Sequence, residues 1–423
     1  MSESAAVPLP PEILNRYVES FLSRKEIYLR AARDNGTPLY VFEPEILRRR
    51  AARFMDAFAA VVPEAMVFYA VKSNNHPEVA RTLAAAGLGL DVSSGEELKL
   101  ALAAGVAEIV FSGPGKTEAE LSLAASRRDR VTVLLDSFGE LERLNRIAGG
   151  NSPVRCGVRL TTDERALWAK FGIPFPALAD FFRAAENFPH VRLRGCQFHT
   201  SWNLGPENHL ACLKKLGRVL EGLEGRFREE IEFVDIGGGF WPEEGEWLHR
   251  PDGGQVNPDN RERDPREHFC RPAAPIEEFA GPIGRTFQEE ILSRTSARLC
   301  LEPGRWICHP AVQILLRVED KKSADLVITD GGTNAVGWER YESDYFPVIN
   351  LSRPSLDEFP CRVLGSLCTP HDVWGYSCHG GDILAGDILL IPDQGAYSYS
   401  LRQEFIKPIP RAVFRQPRGR RSG

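Results

Sequence analysis

Lys72 closes the apolar run MVFYAV and is followed by Ser73, Asn74 and Asn75. A lysine at the end of a buried strand rests its stem on an apolar wall and turns its amine into a site, where desolvation lowers its pKa and readies it for imine chemistry. The alternative is a lysine that snorkels to the surface. Further along, an apolar stretch runs into Gly237, Gly238 and Gly239. Backbone N–H groups left bare by missing side chains can converge on an anion, with phosphate the natural guest, although tight turns use the same residues. The run LCLEPGRW sets Glu302 and Arg305 three residues apart around a Pro-Gly turn. That pair suits a carboxylate facing a heteroaromatic nitrogen and a guanidinium facing an anion, or else a structural ion pair. His199 ends another apolar run, where it can lie flat on an aromatic ring or satisfy a core hydrogen bond.

Groups so far apart in sequence need a frame that gathers them. From residue 38 short runs rich in Val, Ile, Leu and Phe alternate with amphipathic stretches, and eight strands are predicted at 65–71, 89–92, 109–112, 131–135, 155–160, 193–198, 231–236 and 298–301. The stretch SGEELKLALAAG between two of them reads as a helix closed by Gly105. Eight βα units over about 260 residues predict a (β/α)8 barrel, whose active site lies at the carboxyl ends of its strands. Lys72, His199, the glycines and Glu302 all fall at such ends. Residues 242–275, charged and without period, read as a long surface insertion, functional or disordered. From about 306 the pattern becomes β-rich. The predicted organisation is an N-terminal segment, 1–37, packing on the β domain, then a barrel, 38–305, and a mainly β domain, 306–423.

Composition narrows the function classes. The 423 residues hold 52 Lys and Arg against 58 Asp and Glu, a formal charge of -6, so no global basic field favours nucleic acid or an anionic membrane. Hydrophobic residues at 43% and charged residues at 26% are those of an ordinary globular protein. Without a signal-like start or an apolar stretch of membrane-spanning length, the chain reads as cytoplasmic. Nine cysteines are scattered without a C-x-x-C pair and nine histidines without metal-ligand spacing, so neither a disulfide framework nor a metal site is expected.

The motifs FYAVKSN, LDVSSGEEL, FSGPGK, AKFGI, FHTSWN, DIGGGF, EPGR, LCTPHD and GAYSYS occur in the order seen in the fold-type III pyridoxal-phosphate decarboxylases, the group of diaminopimelate, ornithine and arginine decarboxylases, and the chain resembles them from residue 37 to 414. The resemblance implies an alanine-racemase-like barrel with a C-terminal β domain, and pyridoxal 5'-phosphate as cofactor. It implies that Lys72 holds the cofactor as a Schiff base, that Asp91 orients the lysine region, and that His199 stacks on the pyridine face. It places Gly237, Gly238, Gly239 and Tyr397 at the phosphate and Glu302 on the pyridine nitrogen. It also implies that Gly304 and Arg305 are cofactor positions, the arginine reaching the phosphate or a substrate carboxylate, and that Cys368 approaches the site from the second subunit of a homodimer. A carboxylate that keeps the pyridine protonated favours decarboxylation over racemisation, where an arginine usually faces that nitrogen. The rivals are such a racemase and a non-catalytic regulatory homologue, the latter disfavoured by the retained set.

Departures from the family bear on the substrate. Diaminopimelate decarboxylases typically read H-x-G-S where this chain has His199-Thr200-Ser201-Trp202, so a small phosphate-side residue is a tryptophan. Thr369 stands where an acid usually meets the distal amine, and Trp338 where an arginine is familiar, with Arg340 two residues on. Arg305, Arg340, Thr369 and Asp372 are the candidate substrate contacts, with His371 a further donor and Glu339 or Asp344 alternative acids. The expected substrate is an amino acid with a neutral, acidic or conjugated distal end, as in carrier-linked or siderophore-pathway relatives.

Overall fold

The structure, a computed structural model, describes residues 5–149, 152–165, 167–251, 264–337 and 346–415. All eight predicted strands are present: β1 Met66–Ala70, β2 Gly89–Val92, β3 Ile109–Phe111, β4 Val131–Leu135, β5 Val154–Leu160, β6 Val191–Phe198, β7 Phe233–Asp235 and β8 Arg298–Leu301. They are parallel and close into a barrel, because β8 pairs with β7 on one side (Arg298 opposite Phe233) and with β1 on the other (Cys300 opposite Met66). Strands buried on both faces read as unbroken apolar runs, which is why VTVLL in β4 has no polar alternation.

The barrel interior is filled by side chains. Phe68, Val110, Leu134, Phe233 and Cys300 form one buried cluster. Three glycines make room for its rings: a Cβ on Gly89 would sit 2.4 Å from Phe68, and one on Gly157 or Gly195 would sit 2.7 Å from Phe233. Burying a phenylalanine stabilises by roughly 1.5–3 kcal/mol, more than the roughly 0.5–1 kcal/mol that a strand glycine costs. The outer helices are capped by short polar residues, Ser94, Thr117 and Ser137 each accepting the N–H of a glutamate three residues on. Gly105 closes its helix in the left-handed region at φ 77°, as its position suggested.

The described residues separate into two compact units, one of Arg48–Trp241 and Ala274–Ile307, which holds the barrel, and one of Met1–Leu47, Pro242–Ala273 and Cys308–Gly423. The barrel unit therefore begins at Arg48 and not at 38. Leu39–Phe42 instead pairs antiparallel with Val312–Ser323 and parallel with Arg411–Phe414, inside an eight-stranded sheet. Helices Pro11–Leu22 and Lys25–Asn35 bury Leu14, Val18, Phe21 and Tyr28 in one cluster with Leu39, Val41, Leu315, Ile349 and Leu390.

The insertion also departs from its expected surface character. Its ends form antiparallel strands, Glu246–Leu248 and Phe269–Arg271, the second paired with Val7–Pro8. Trp247 and Cys270 are buried in the cluster with the N-terminal helices, so a few apolar residues within a charged segment anchor it. Its middle, 252–263, lies outside the described residues.

Candidate active site

Lys72 follows β1 in a single turn, Val71–Ser73, and its Nζ lies 2.8 Å from Asp91 Oδ2. The meeting is set by register, since Ala70 of β1 faces Asp91 of β2. Asp91 is fully buried and its second oxygen accepts Ser112 Oγ at 2.6 Å, from the end of β3. Burial, then the neighbouring charge of Glu302, raises the Asp91 carboxyl, with Lys72 and Ser112 pulling the other way. The lysine side chain is 35% exposed, against none for its aspartate partner.

Glu302, just past β8, is buried, and Gln197 Nε2 of β6 donates to both its oxygens at 3.2 and 3.4 Å. His199 Nδ1 lies 3.8 Å from Glu302 Oε2 and accepts the Gly238 N–H at 3.1 Å. That bond leaves the ring proton on Nε2. Burial, then the charges of Lys72 and Arg159, drives His199 well below the ordinary histidine range, so the ring is a flat neutral surface. Asp235, the last residue of β7, accepts the Gly237 N–H at 2.8 Å. Burial and then the charge of Glu302 hold its carboxyl well above the usual range. Arg159 of β5 is nearly buried with its guanidinium 4.4 Å from the centre of Phe171, and it balances Glu302, Asp136 and Asp91 electrostatically.

The glycine loop is shaped by close approach. A Cβ on Gly238 would lie 2.3 Å from the Glu302 carbonyl and one on Gly239 2.0 Å from that of Thr200. The expected cradle of three N–H groups is corrected in one respect: Gly237 and Gly238 donate inward, to Asp235 and His199. They seat the imidazole and fix the loop. Gly304 of the EPGR turn packs closely, since a Cβ there would meet Ser73 Oγ at 2.7 Å.

His209, which no motif flagged, sits under the loop, its Nε2 3.0 Å from the Gly238 carbonyl and its ring stacked on Phe240 at 4.8 Å. Burial pushes it down to about 4. The unfolded chain takes up a proton near 6.5 and the folded chain does not until about 4, so this contribution to stability is complete above pH 6.5 and is lost as pH falls toward 4. Urea unfolding at pH 7.5 and 5.0 should therefore show the wild type losing roughly 2 kcal/mol more than His209→Gln between the two pH values. Parallel pH dependence in the two proteins would contradict this role.

The barrel unit thus brings Lys72, Asp91, His199, Gly237, Gly238, Gly239, Glu302, Gly304 and Arg305 to the carboxyl ends of its strands. It adds Ser112, Arg159, Gln197, His209 and Asp235, which were missed. Four of these are polar residues at or next to the ends of barrel strands, and that placement was the available signal. The other unit carries Cys368, Thr369, Asp372 and Tyr397. Cys368 is exposed, Thr369 is half-buried, and Tyr397 has left-handed backbone at φ 58°. Asp372 does not present a carboxylate to substrate: it is buried, with Oδ1 accepting Thr333 N–H and Oγ1 at 2.7 and 2.9 Å and Oδ2 accepting the Leu367 N–H at 2.7 Å. It holds the LCTPHD loop in place. Trp338, Glu339, Arg340 and Asp344 lie outside the described residues.

A family model described as pyridoxal-dependent decarboxylase, pyridoxal binding domain, matches residues 46–309. The chain belongs to this family. The enzyme is 26% identical over 387 residues to a diaminopimelate decarboxylase of Aquifex aeolicus, covering 88% of this chain and 84% of that one. It is 30% identical over 397 residues to one of Actinosynnema pretiosum, covering 88% and 82%. Among solved structures it resembles a diaminopimelate decarboxylase from Helicobacter pylori complexed with L-lysine, with TM-score 0.75 and 22% identity over 92% of this chain and 94% of that one. A lysine/ornithine decarboxylase from Vibrio vulnificus complexed with putrescine gives TM-score 0.73 and 21% identity over 92% and 97%. At these identities the solved structures speak for the fold. The decarboxylase uses pyridoxal phosphate, and its site fits that group: an amine beside a buried carboxylate, a neutral imidazole, a second buried carboxylate, and a loop closed to any side chain. Among the described residues no helix is long and apolar enough to cross a membrane.

Proposed function

We propose that this pyridoxal-phosphate-dependent amino-acid decarboxylase acts on an amino acid whose distal end is neutral, acidic or conjugated, as a carrier-linked or acylated group would be. The observation that carries the reading is the LCTPHD loop, where Thr369 stands at the acid position and Asp372 is consumed by Thr333 and Leu367. A buried distal ammonium without a carboxylate would be strongly unfavourable, by several kcal/mol, and a threonine can accept a hydrogen bond but cannot neutralise charge. Comparing kcat/KM for free lysine, ornithine and diaminopimelate with acidic or acylated analogues tests this. Marked preference for any free diamino acid would sink it.

Bound pyridoxal phosphate supplies the electron-accepting ring that takes up the electron pair left by departing CO2. Lys72 would carry the cofactor, its Nζ kept in place by Asp91. Glu302, aligned by Gln197, would hold the proton on the pyridine nitrogen, while His199 would cover a ring face without adding charge. The neutral imidazole matters there, because a cation against the ring would repel the protonated pyridine that Glu302 would stabilise. A homodimer that shares Cys368 across subunits completes the proposal. Cytoplasmic action is in keeping with cysteines buried as unbridged thiols in the core, such as Cys156, Cys196, Cys300 and Cys378.

A further inference from the structure

Trp202 is half exposed, at 50%, yet its backbone lies in the left-handed region at φ 59°, which disfavours any residue with a Cβ. Burial does not explain why so large a side chain is kept in so unfavourable a backbone. Its surroundings do. The indole stacks on Trp241, with ring centres 5.0 Å apart and planes 23° from parallel. The guanidinium carbon of Arg305 lies 4.6 Å from the centre of Trp241 and 5.9 Å from that of Trp202. The two tryptophans come from adjacent loops that are tied together: Asn203 N–H donates to the Gly239 carbonyl at 3.0 Å and Trp241 N–H to the Asn203 carbonyl at 3.2 Å. The rings therefore stand at the edge of the glycine loop, whose first two N–H groups are directed inward.

We propose that Trp202 and Trp241 are positioning residues that hold Arg305 flat against an aromatic shelf, so that its outer N–H edge meets an anionic group at the rim of the glycine loop. A guanidinium stacks on an indole through its face and keeps its donors in the plane for bidentate contact with oxygen anions. Left-handed backbone at Trp202 turns the indole onto Trp241, and the stacked pair fixes the plane of the cation. The anion is an oxyanion, either the phosphate of the cofactor or a carboxylate of the substrate. Its identity rests on the pyridoxal-decarboxylase reading, whereas the shelf itself does not.

The test uses Trp202→Gly, which removes the ring and relieves the backbone, and Trp202→Phe, which keeps a ring. Apoenzyme is titrated spectroscopically with pyridoxal phosphate and with pyridoxal, and KM and kcat are measured for the best amino-acid substrate. Trp202→Gly should match or exceed the wild-type melting temperature. An approximately fivefold weaker affinity for pyridoxal phosphate with unchanged affinity for pyridoxal assigns the anion to the cofactor phosphate. Unchanged cofactor affinity with KM raised about fivefold at constant kcat assigns it to a substrate carboxylate. Trp202→Phe should recover most of either loss, and either loss should shrink in an Arg305→Lys background. Wild-type cofactor affinity and KM in Trp202→Gly would overturn the proposal, as would equal weakening toward pyridoxal phosphate and pyridoxal. If Trp202→Gly does not fold, Trp202→Asn, which also removes the ring and tolerates left-handed backbone, is read by the same criteria. Discrimination between the two cofactor forms with no turnover of any amino acid would leave the shelf standing and overturn the substrate reading instead.

Discussion

Lys72→Ala protein should lose at least about 10³-fold in kcat and should lack the near-visible absorption of lysine-bound pyridoxal phosphate. In the parent protein, borohydride should fix the cofactor onto the peptide carrying Lys72. The geometry behind this is the 2.8 Å pair between Lys72 and the fully buried Asp91. Stability should suffer far less than activity. The Asp91 carboxyl is already raised by burial and by Glu302, so on losing the ammonium it can take up a proton and stay neutral in place. Label on another lysine, or retained turnover, would remove Lys72 from the reaction. The same variant also tests the proposed dimer. Mixed with inactive Cys368→Ala protein, it should regain part of the activity, since a mixed dimer holds one intact site. No recovery, once subunit exchange is demonstrated, would place both groups in one chain.

Glu302→Gln should lower kcat by about 10²-fold or more while leaving the melting temperature nearly unchanged, because the substitution keeps shape and removes charge. An amide cannot hold a proton on a pyridine nitrogen by opposite charge, and the Gln197 amide would then face another amide where it now donates to a carboxylate. A second signature follows from Asp235. Its carboxyl is raised first by burial and next by the charge of Glu302, so the variant should bring the Asp235 titration downward, readable by infrared difference spectroscopy of the carboxyl band. Turnover within twofold of the parent would mean that the ring nitrogen does not depend on Glu302.

The barrel was legible because parallel strands covered on both faces must be apolar throughout, and VTVLL or MVFYA admits little else when repeated eight times between amphipathic stretches. Leu39–Phe42, not among the eight predicted strands, nevertheless fell within the barrel by the bound at 38. LYVF is as apolar as any barrel strand, but a short run does not name its partner, and here that partner is Val312–Ser323, some 270 residues away. Trp247 and Cys270 were hidden for the converse reason, being single anchors within a charged, glycine-rich and proline-rich segment. At the site, lysine, histidine, glutamate and the glycines stood out by type. Arg159, Gln197 and Asp235 did not, since their importance lies in what neighbouring strands bring within reach. Asp372 shows the limit most directly: a carboxylate expected to contact the substrate is bound by Thr333 and Leu367, partners that only the folded loop reveals.

The division of the chain between its two units has a consequence for how the molecule is made. Leu39–Phe42 emerges from the ribosome early, but both of its strand partners lie beyond residue 311, so its edges stay unpaired while most of the chain is synthesised. The barrel waits too, for β8 joins the first strand to the seventh only after the whole insertion has passed. Closure of such long loops adds little to the free-energy cost per extra residue, yet it delays every contact that would reward it. During that interval LYVF is a bare apolar strand able to pair with another chain. Low temperature, which weakens apolar association, should therefore favour recovery of native protein, and fragments that stop short of Val312–Ser323 should accumulate as aggregate with their N-terminal helices lacking a sheet to cover.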